Sequence, residues 1–202
     1  MPTTLTFPDA EAELLRRHCA RARVILEYGA GGSTRLAAGM PGKLVLSVES
    51  DRDFAIGLQR EIDAAALPSP AIVRYVDIGP TGAWGRPVDA THWERFHRYP
   101  LAIWDEPFFR HPDVVLIDGR FRPACLAATC MRITRPVTVL FDDYVERTAY
   151  HVVEKLAVPV ETVGRMARFE LAPGAVSAEA TSALIGMFSE ATYSASPERY
   201  DA

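Results

Sequence analysis

The sequence has no excess of positive charge. Its 22 lysines and arginines are outnumbered by 26 aspartates and glutamates, leaving a net charge of −4. No basic tract of the kind that follows a phosphate backbone is present, so a nucleic acid partner is not expected. No apolar run approaches the ~20 residues that cross a bilayer, so no membrane is expected either. The opening stretch MPTTLTFPDAEAELL lacks the charged-then-apolar order of a secretory signal. The three cysteines, Cys19, Cys125 and Cys130, are odd in number and have no zinc-ligand spacing. They are expected as small buried hydrophobes in a reducing compartment, which points to the cytoplasm. There is no internal repeat and no low-complexity segment. With 49% hydrophobic and 24% charged residues, the composition is globular, and 202 residues suit one domain spanning 1–202 with a sizeable core.

The chain is organised around residues 24–51. Val24, Ile25 and Leu26 form a short apolar run ending in Glu27, and Gly29, Gly31 and Gly32 follow at once. A helix starts at Ser33 and stops at Gly39, Pro41 and Gly42. Leu44 to Val48 then gives a second strand that ends in another acid, Glu49. Strand, glycine turn, helix, strand, acid is the front half of a nucleotide-binding α/β sheet. Glycine permits positive φ and lets a ligand approach the backbone with no Cβ in the way. Glu49, twenty residues beyond Gly29, stands where a carboxylate can accept hydrogen bonds from ribose hydroxyls. A dinucleotide fingerprint needs a glycine or alanine where Thr34 stands, and Glu27 would repel a pyrophosphate. An NAD-type oxidoreductase is therefore the less favoured reading. Glu27 suits a cationic ligand carrying an amino group.

Elsewhere the pattern predicts helices over 9–21, capped by Asp9, and from Asp51 onward with Phe54, Leu58 and Ile62 on the apolar face. Strands are expected at 71–77, 113–118 and 137–140, closing on Asp77, Asp118 and Asp142. Further helices are expected at 122–133, 148–156 and 177–190, with strands at 160–163 and 168–171 and a loosely held last dozen residues. Residues 79–112 break the rhythm. They hold all three tryptophans, with His92, His97 and His111, and Thr91 with Glu94 predicts one short helix over 92–99. This aromatic insertion reads as a substrate lid or wall, and its histidines are too irregularly spaced for a metal site. Five strand ends carry acids: Glu27, Glu49, Asp77, Asp118 and Asp142. In an open parallel sheet those ends face one crevice, where so much negative charge calls for a cationic partner.

The run Glu27-Tyr28-Gly29-Ala30-Gly31, with Gly32 next and Ser33 in the slot usual for a third glycine, resembles the first motif of class I S-adenosylmethionine-dependent methyltransferases. The resemblance implies a Rossmann-like, doubly wound, mostly parallel seven-stranded sheet with helices on both faces and an antiparallel C-terminal hairpin. It implies that Glu27 and the turn from Tyr28 to Ser33 hold the amino-acid end of S-adenosylmethionine. Glu49 with Ser50 would hold the ribose and Asp77 the adenine, with Asp118 bordering the cofactor. The pattern LIDG…LFDDY is similar to the catechol-type and macrocin-type O-methyltransferases. There Asp118, Asp142 and Asp143 would hold Mg²⁺, which grips the acceptor hydroxyl and lowers its pKa. The positions of the family's base are Arg120 and Phe121 here, and an arginine stays protonated. Arg120 or Arg122 could pair with Asp118 in the metal's place. His151 is then the candidate base beside Asp118. The expected activity is methyl transfer to a small molecule, at an oxygen. A non-catalytic binder of the same fold remains an alternative, and a homodimer an open option.

Overall fold

The computed structural model describes residues 5–174 and 176–194. Seven strands form one sheet: β1 (Val24–Tyr28), β2 (Leu44–Glu49), β3 (Ala71–Tyr75), β4 (Val114–Ile117), β5 (Val137–Phe141), β6 (Glu161–Val163) and β7 (Met166–Leu171). Their order is β3-β2-β1-β4-β5-β7-β6. The first five run parallel, and β7 lies antiparallel to both β5 and β6. Chain order reverses between β1 and β4, which share the middle of the sheet. A crevice therefore opens at the carboxyl ends of those strands.

The strand sequences explain the layering. β1, β4 and β5 are almost continuously apolar, as strands covered on both faces must be. Alternate residues feed two separate cores. Leu26, Leu46 and Val115 pack with α5 (Arg122–Arg132) and with Tyr99 of α4 (Arg98–Leu101). Ile25, Val45 and Val114 pack with α1 (Asp9–Arg21), α2 (Gly32–Ala38) and α3 (Arg52–Ala65). Cys19, Cys125 and Cys130 are free and buried as expected, and burial pushes the Cys19 thiol up to about 12.

Several expectations need adjustment. Asp9 does not cap α1, since Pro8 takes the cap position and no side-chain cap bond is made. Asp51 does cap α3, its Oδ1 accepting from the Phe54 N–H at 3.0 Å. The single helix expected over 92–99 is two pieces, a 3-10 turn at 93–95 and α4, and Thr91 does not cap it, its N–H going to the Asp89 carboxylate at 2.8 Å. The helix expected over 148–156 is a 3-10 stretch, Thr148–Lys155. That over 177–190 contracts to α6 (Thr181–Met187). Of the last dozen residues, 195–202 lie outside the described residues.

The insertion is stitched to the sheet by its own polar groups. The Tyr28 hydroxyl donates to the Pro100 carbonyl at 2.7 Å and accepts from the Trp104 indole N–H at 2.7 Å. Phe96, Tyr99, Ile103 and Trp104 thereby enter the core, while Trp84 and Trp93 stay exposed.

Candidate active site

The crevice holds a pocket of about 390 Å³. The turn Gly29 to Ser33 forms its floor, Glu49 one side, and Asp118, Gly119 and Arg120 the other. The two loops that bound it touch back to back. Gly29 has φ +100°, and a Cβ there would lie 2.5 Å from the Gly119 nitrogen. A Cβ on Gly119 would in turn meet the Tyr99 hydroxyl. Gly31 differs. Its φ of 174° is ordinary extended backbone, and a Cβ there would meet nothing within 4 Å. Since Gly31 lines the pocket, that open space is where a ligand would lie.

Glu27 does not reach the pocket. Its carboxylate is 1% exposed and accepts from the Ser33, Thr34 and Ser47 hydroxyls, the last at 2.6 Å. Thr34 also accepts from the Gly31 N–H at 2.9 Å. Glu27 and Thr34 thus brace the glycine turn from beneath, correcting the expectation that Glu27 touches the ligand. Burial raises the Glu27 pKa from 4.5 to about 7, against the pull of those hydroxyls. Below pH 4.5 the carboxyl is protonated in folded and unfolded chains alike. Between pH 4.5 and about 7 the unfolded chain releases a proton that the folded chain keeps, so this group's contribution to stability falls as pH rises, and it is flat above. Glu27→Gln should remove that slope. Denaturant unfolding should show the wild type losing about 3 kcal/mol relative to the variant across the window. Parallel pH profiles would contradict it.

Glu49 closes β2 and lines the pocket. It is 9% exposed, and its Oε1 accepts from the Ser50 and Asp51 N–H groups at 2.6 and 2.8 Å. Every bond the described residues make to this carboxylate goes to Oε1, which leaves Oε2 to the pocket. Burial raises its pKa. Ser50 and Tyr28 are buried, and both are structural: the Ser50 hydroxyl donates to the Gly85 carbonyl at 2.7 Å. That bond seats the 83–85 turn of the insertion against Glu49. Trp84, at φ +60° and 81% exposed, stands at the pocket mouth opposite Phe54.

Asp77 is displaced from the expected site. β3 stops at Tyr75, and Asp77 lies in the turn beyond it, bound by Arg95 at 2.9 Å and by the Gly79 N–H. It does not line the pocket. His151 is no better placed. Its Nε2 lies 3.1 Å from the Tyr144 carbonyl and its ring stacks on Tyr144 at 4.6 Å, away from the pocket lining.

Asp118, Asp142 and Asp143 do converge, with ligand atoms within 4.8 Å of one another. Their charge is met by guanidinium groups. Arg122, 5% exposed, makes four hydrogen bonds and one further ion pair. Its partners are the Gly119 and Asp118 carbonyls at 3.1 and 2.9 Å, the Asp142 carbonyl at 2.6 Å, and the Asp118 and Asp143 carboxylates, both at 3.1 Å. Arg165 grips Asp142 with two bonds, at 3.0 and 2.9 Å, and reaches Asp143 at 3.2 Å. Arg147 reaches Asp143 at 3.3 Å. Three carboxylates facing three fixed cations leave no net charge for a divalent ion, so Mg²⁺ does not fit these residues as they stand. The row of five strand-end acids is therefore mostly compensated from within. Only Glu49 and Asp118 face the pocket.

Sequence reasoning missed Arg147 and Arg165. The expected hairpin held the signal for Arg165. An antiparallel β7 beside β5 brings its first residues to the end of β5, pairing Ala167 with Phe141. Leu5 to Phe7, just before α1, also border the pocket, and nothing in their sequence marks them.

No protein-family model matches the sequence, and no curated protein matches it. Among solved structures, a methyltransferase-like protein from Silicibacter pomeroyi is 47% identical, covering 94% of this chain and 98% of its own, with a TM-score of 0.87. The O-methyltransferase TomG from Streptomyces achromogenes, in complex with S-adenosylmethionine, is 20% identical over 81% of this chain and 80% of its own, with a TM-score of 0.52. An O-methyltransferase from Bacillus cereus bound to S-adenosylhomocysteine is 18% identical over 80% of this chain and 78% of its own, with a TM-score of 0.55. The last two share the fold. With the near-complete match to the Silicibacter protein, the strand order and the glycine turn above Glu27, the chain belongs to the class I S-adenosylmethionine-dependent methyltransferase family.

Proposed function

We propose that this chain transfers a methyl group from S-adenosylmethionine to an oxygen of a small acceptor, without a metal ion. One observation carries the reading: an open glycine turn and an uncommitted Glu49 oxygen face the same pocket at the strand-order reversal. The donor, when bound, supplies an electrophilic methyl on a sulfonium. The chain's own task is to align the reactants and keep water out. Gly29 to Ser33 would receive the amino-acid end, and Glu49 Oε2 the ribose hydroxyls. Phe54 and Trp84 offer exposed aromatic faces for the adenine in place of Asp77. Asp118 is the one carboxylate of the triad that lines the pocket. Burial pushes its pKa up, with Asp142 and Asp143 adding to the rise and Arg122 opposing it. In its ionised form, which gains ground as pH rises through about 8, it would take a proton from an acceptor hydroxyl, the role earlier expected of His151.

The net charge of −4 fits a small acceptor better than a nucleic acid, and the buried free thiols fit the cytoplasm. No described helix is long and apolar enough to cross a membrane. Methyl transfer should proceed unchanged in EDTA, and a Mg²⁺ titration into the protein should give no binding heat. Activity that appears only with added Mg²⁺ would defeat the metal-free reading.

A further inference from the structure

Arg120 is the cation that the arginine–aspartate cluster does not use. It follows Asp118 and Gly119 on the loop that closes the pocket, and it lines that pocket. Its backbone is fixed, the N–H donating to the Tyr99 hydroxyl at 3.3 Å and the carbonyl accepting from the Cys125 thiol. Its guanidinium, in contrast, makes no ion pair and no side-chain hydrogen bond among the described residues. The neighbouring carboxylate oxygens, Glu49 Oε2 apart, are committed elsewhere. Asp118 is held by Arg122, Asp142 by Arg165, Asp143 by all three partner arginines, and Glu49 Oε1 by two N–H groups. Burial lowers the Arg120 pKa, and the like charges of Arg122 and Arg86 add to the fall. An arginine nevertheless stays protonated, and although Glu49 feels its charge across the pocket, this half-buried guanidinium is in no ion pair among the described residues. A sulfonium donor in the same pocket would add further positive charge.

We infer that Arg120 is the specificity-determining residue for the acceptor, and that this acceptor carries an anionic group, a carboxylate or a phosphate, beside the oxygen to be methylated. The fork of guanidinium donors suits both anions, and either can be held by two parallel bonds. An anion there balances the uncommitted cation among the pocket's described residues and is drawn toward the donor's positive sulfur. The inference rests on the proposed methyltransferase reading, because it takes the pocket to be shared by donor and acceptor.

The test is calorimetry on the full chain saturated with S-adenosylhomocysteine. Benzoate, phenyl phosphate and the uncharged benzyl alcohol serve as probes, with wild type, Arg120→Gln and Arg120→Lys compared. At least one of the two anions should bind the wild type roughly tenfold or more tightly than benzyl alcohol, about 1.4 kcal/mol. That preference should vanish in Arg120→Gln and return in part in Arg120→Lys. Whichever anion is preferred assigns the acceptor's group. Absence of anion binding to the loaded wild type, or a preference that survives in Arg120→Gln, would overturn the inference. So would a third pattern, in which Arg120→Gln weakens S-adenosylhomocysteine and leaves 5′-methylthioadenosine, which lacks the carboxylate, unchanged. Arg120 would then serve the donor. Failure of S-adenosylhomocysteine to bind the wild type at all would instead defeat the methyltransferase reading itself.

Discussion

Replacing Gly31 by leucine should abolish S-adenosylhomocysteine binding, weakening it by roughly a hundredfold or more, about 2.8 kcal/mol, while leaving the thermal midpoint almost unchanged. The backbone at Gly31 is extended, so leucine is not strained there, and its side chain would enter open pocket and displace nothing. Gly29→Ala should do the reverse damage. At φ +100° the backbone conformation alone costs a side-chain-bearing residue about 1–3 kcal/mol, and the new Cβ would press on the Gly119 backbone. That variant should lose stability first and ligand affinity as a consequence. Calorimetry and thermal melts on the two purified variants separate the outcomes. Equal affinity in Gly31→Leu and wild type would mean that the ligand lies elsewhere.

Replacing Arg122 by methionine should destabilise the protein by about 3–5 kcal/mol, because it strands buried carboxylates without their main counter-charge. For a chain of this length that is a fall in midpoint of roughly 6–20 °C. Arg122 is 5% exposed, and the carboxylates it pairs with, Asp118 and Asp143, are 27% and 15% exposed, so solvent screens the loss only in part. Arg147→Gln removes a cation that is more exposed and holds only one of the carboxylates, and should cost about 1 kcal/mol or less. A second consequence distinguishes this cluster from a disguised metal site. With Arg122 gone, three carboxylates gather around the vacated charge, and Mg²⁺ should raise the midpoint of Arg122→Met but not of the wild type. Stabilisation of the wild type by Mg²⁺ would show that the arginines yield to the ion.

The sequence exposed the parts of the fold that depend on local periodicity. The apolar runs of β1, β2, β4 and β5, the glycine turn and the Asp51 cap can each be read within a few residues, because burial on both faces and a tight turn leave little choice of residue type. Glu49 was legible for the same reason, since it closes a strand at the sheet's crossover. What could not be read was which carboxylates pair with what. Five acids follow strands, yet the parallel sheet decides only where the backbone ends. Glu27 turns under the glycine loop to meet three hydroxyls, Asp77 meets an arginine of the insertion, and Asp142 meets Arg165 from a hairpin 23 residues away. Ser33 and Thr34 lie close to Glu27 in sequence, but the Ser47, Arg95 and Arg165 pairings span 18 to 23 residues and have no local signature. Phe54 shows the opposite error. Helical spacing assigned it to the core face of α3, but in the first turn of that helix the residue is left 41% exposed and lines the pocket.

The most direct test is a titration of S-adenosylhomocysteine into the purified chain in the presence of EDTA, followed by heat. Saturable binding at one site per chain, with the same affinity when Mg²⁺ replaces EDTA, is the result expected where arginines already pair the Asp118, Asp142 and Asp143 cluster. No heat at all, or binding that waits for the metal, would contradict it.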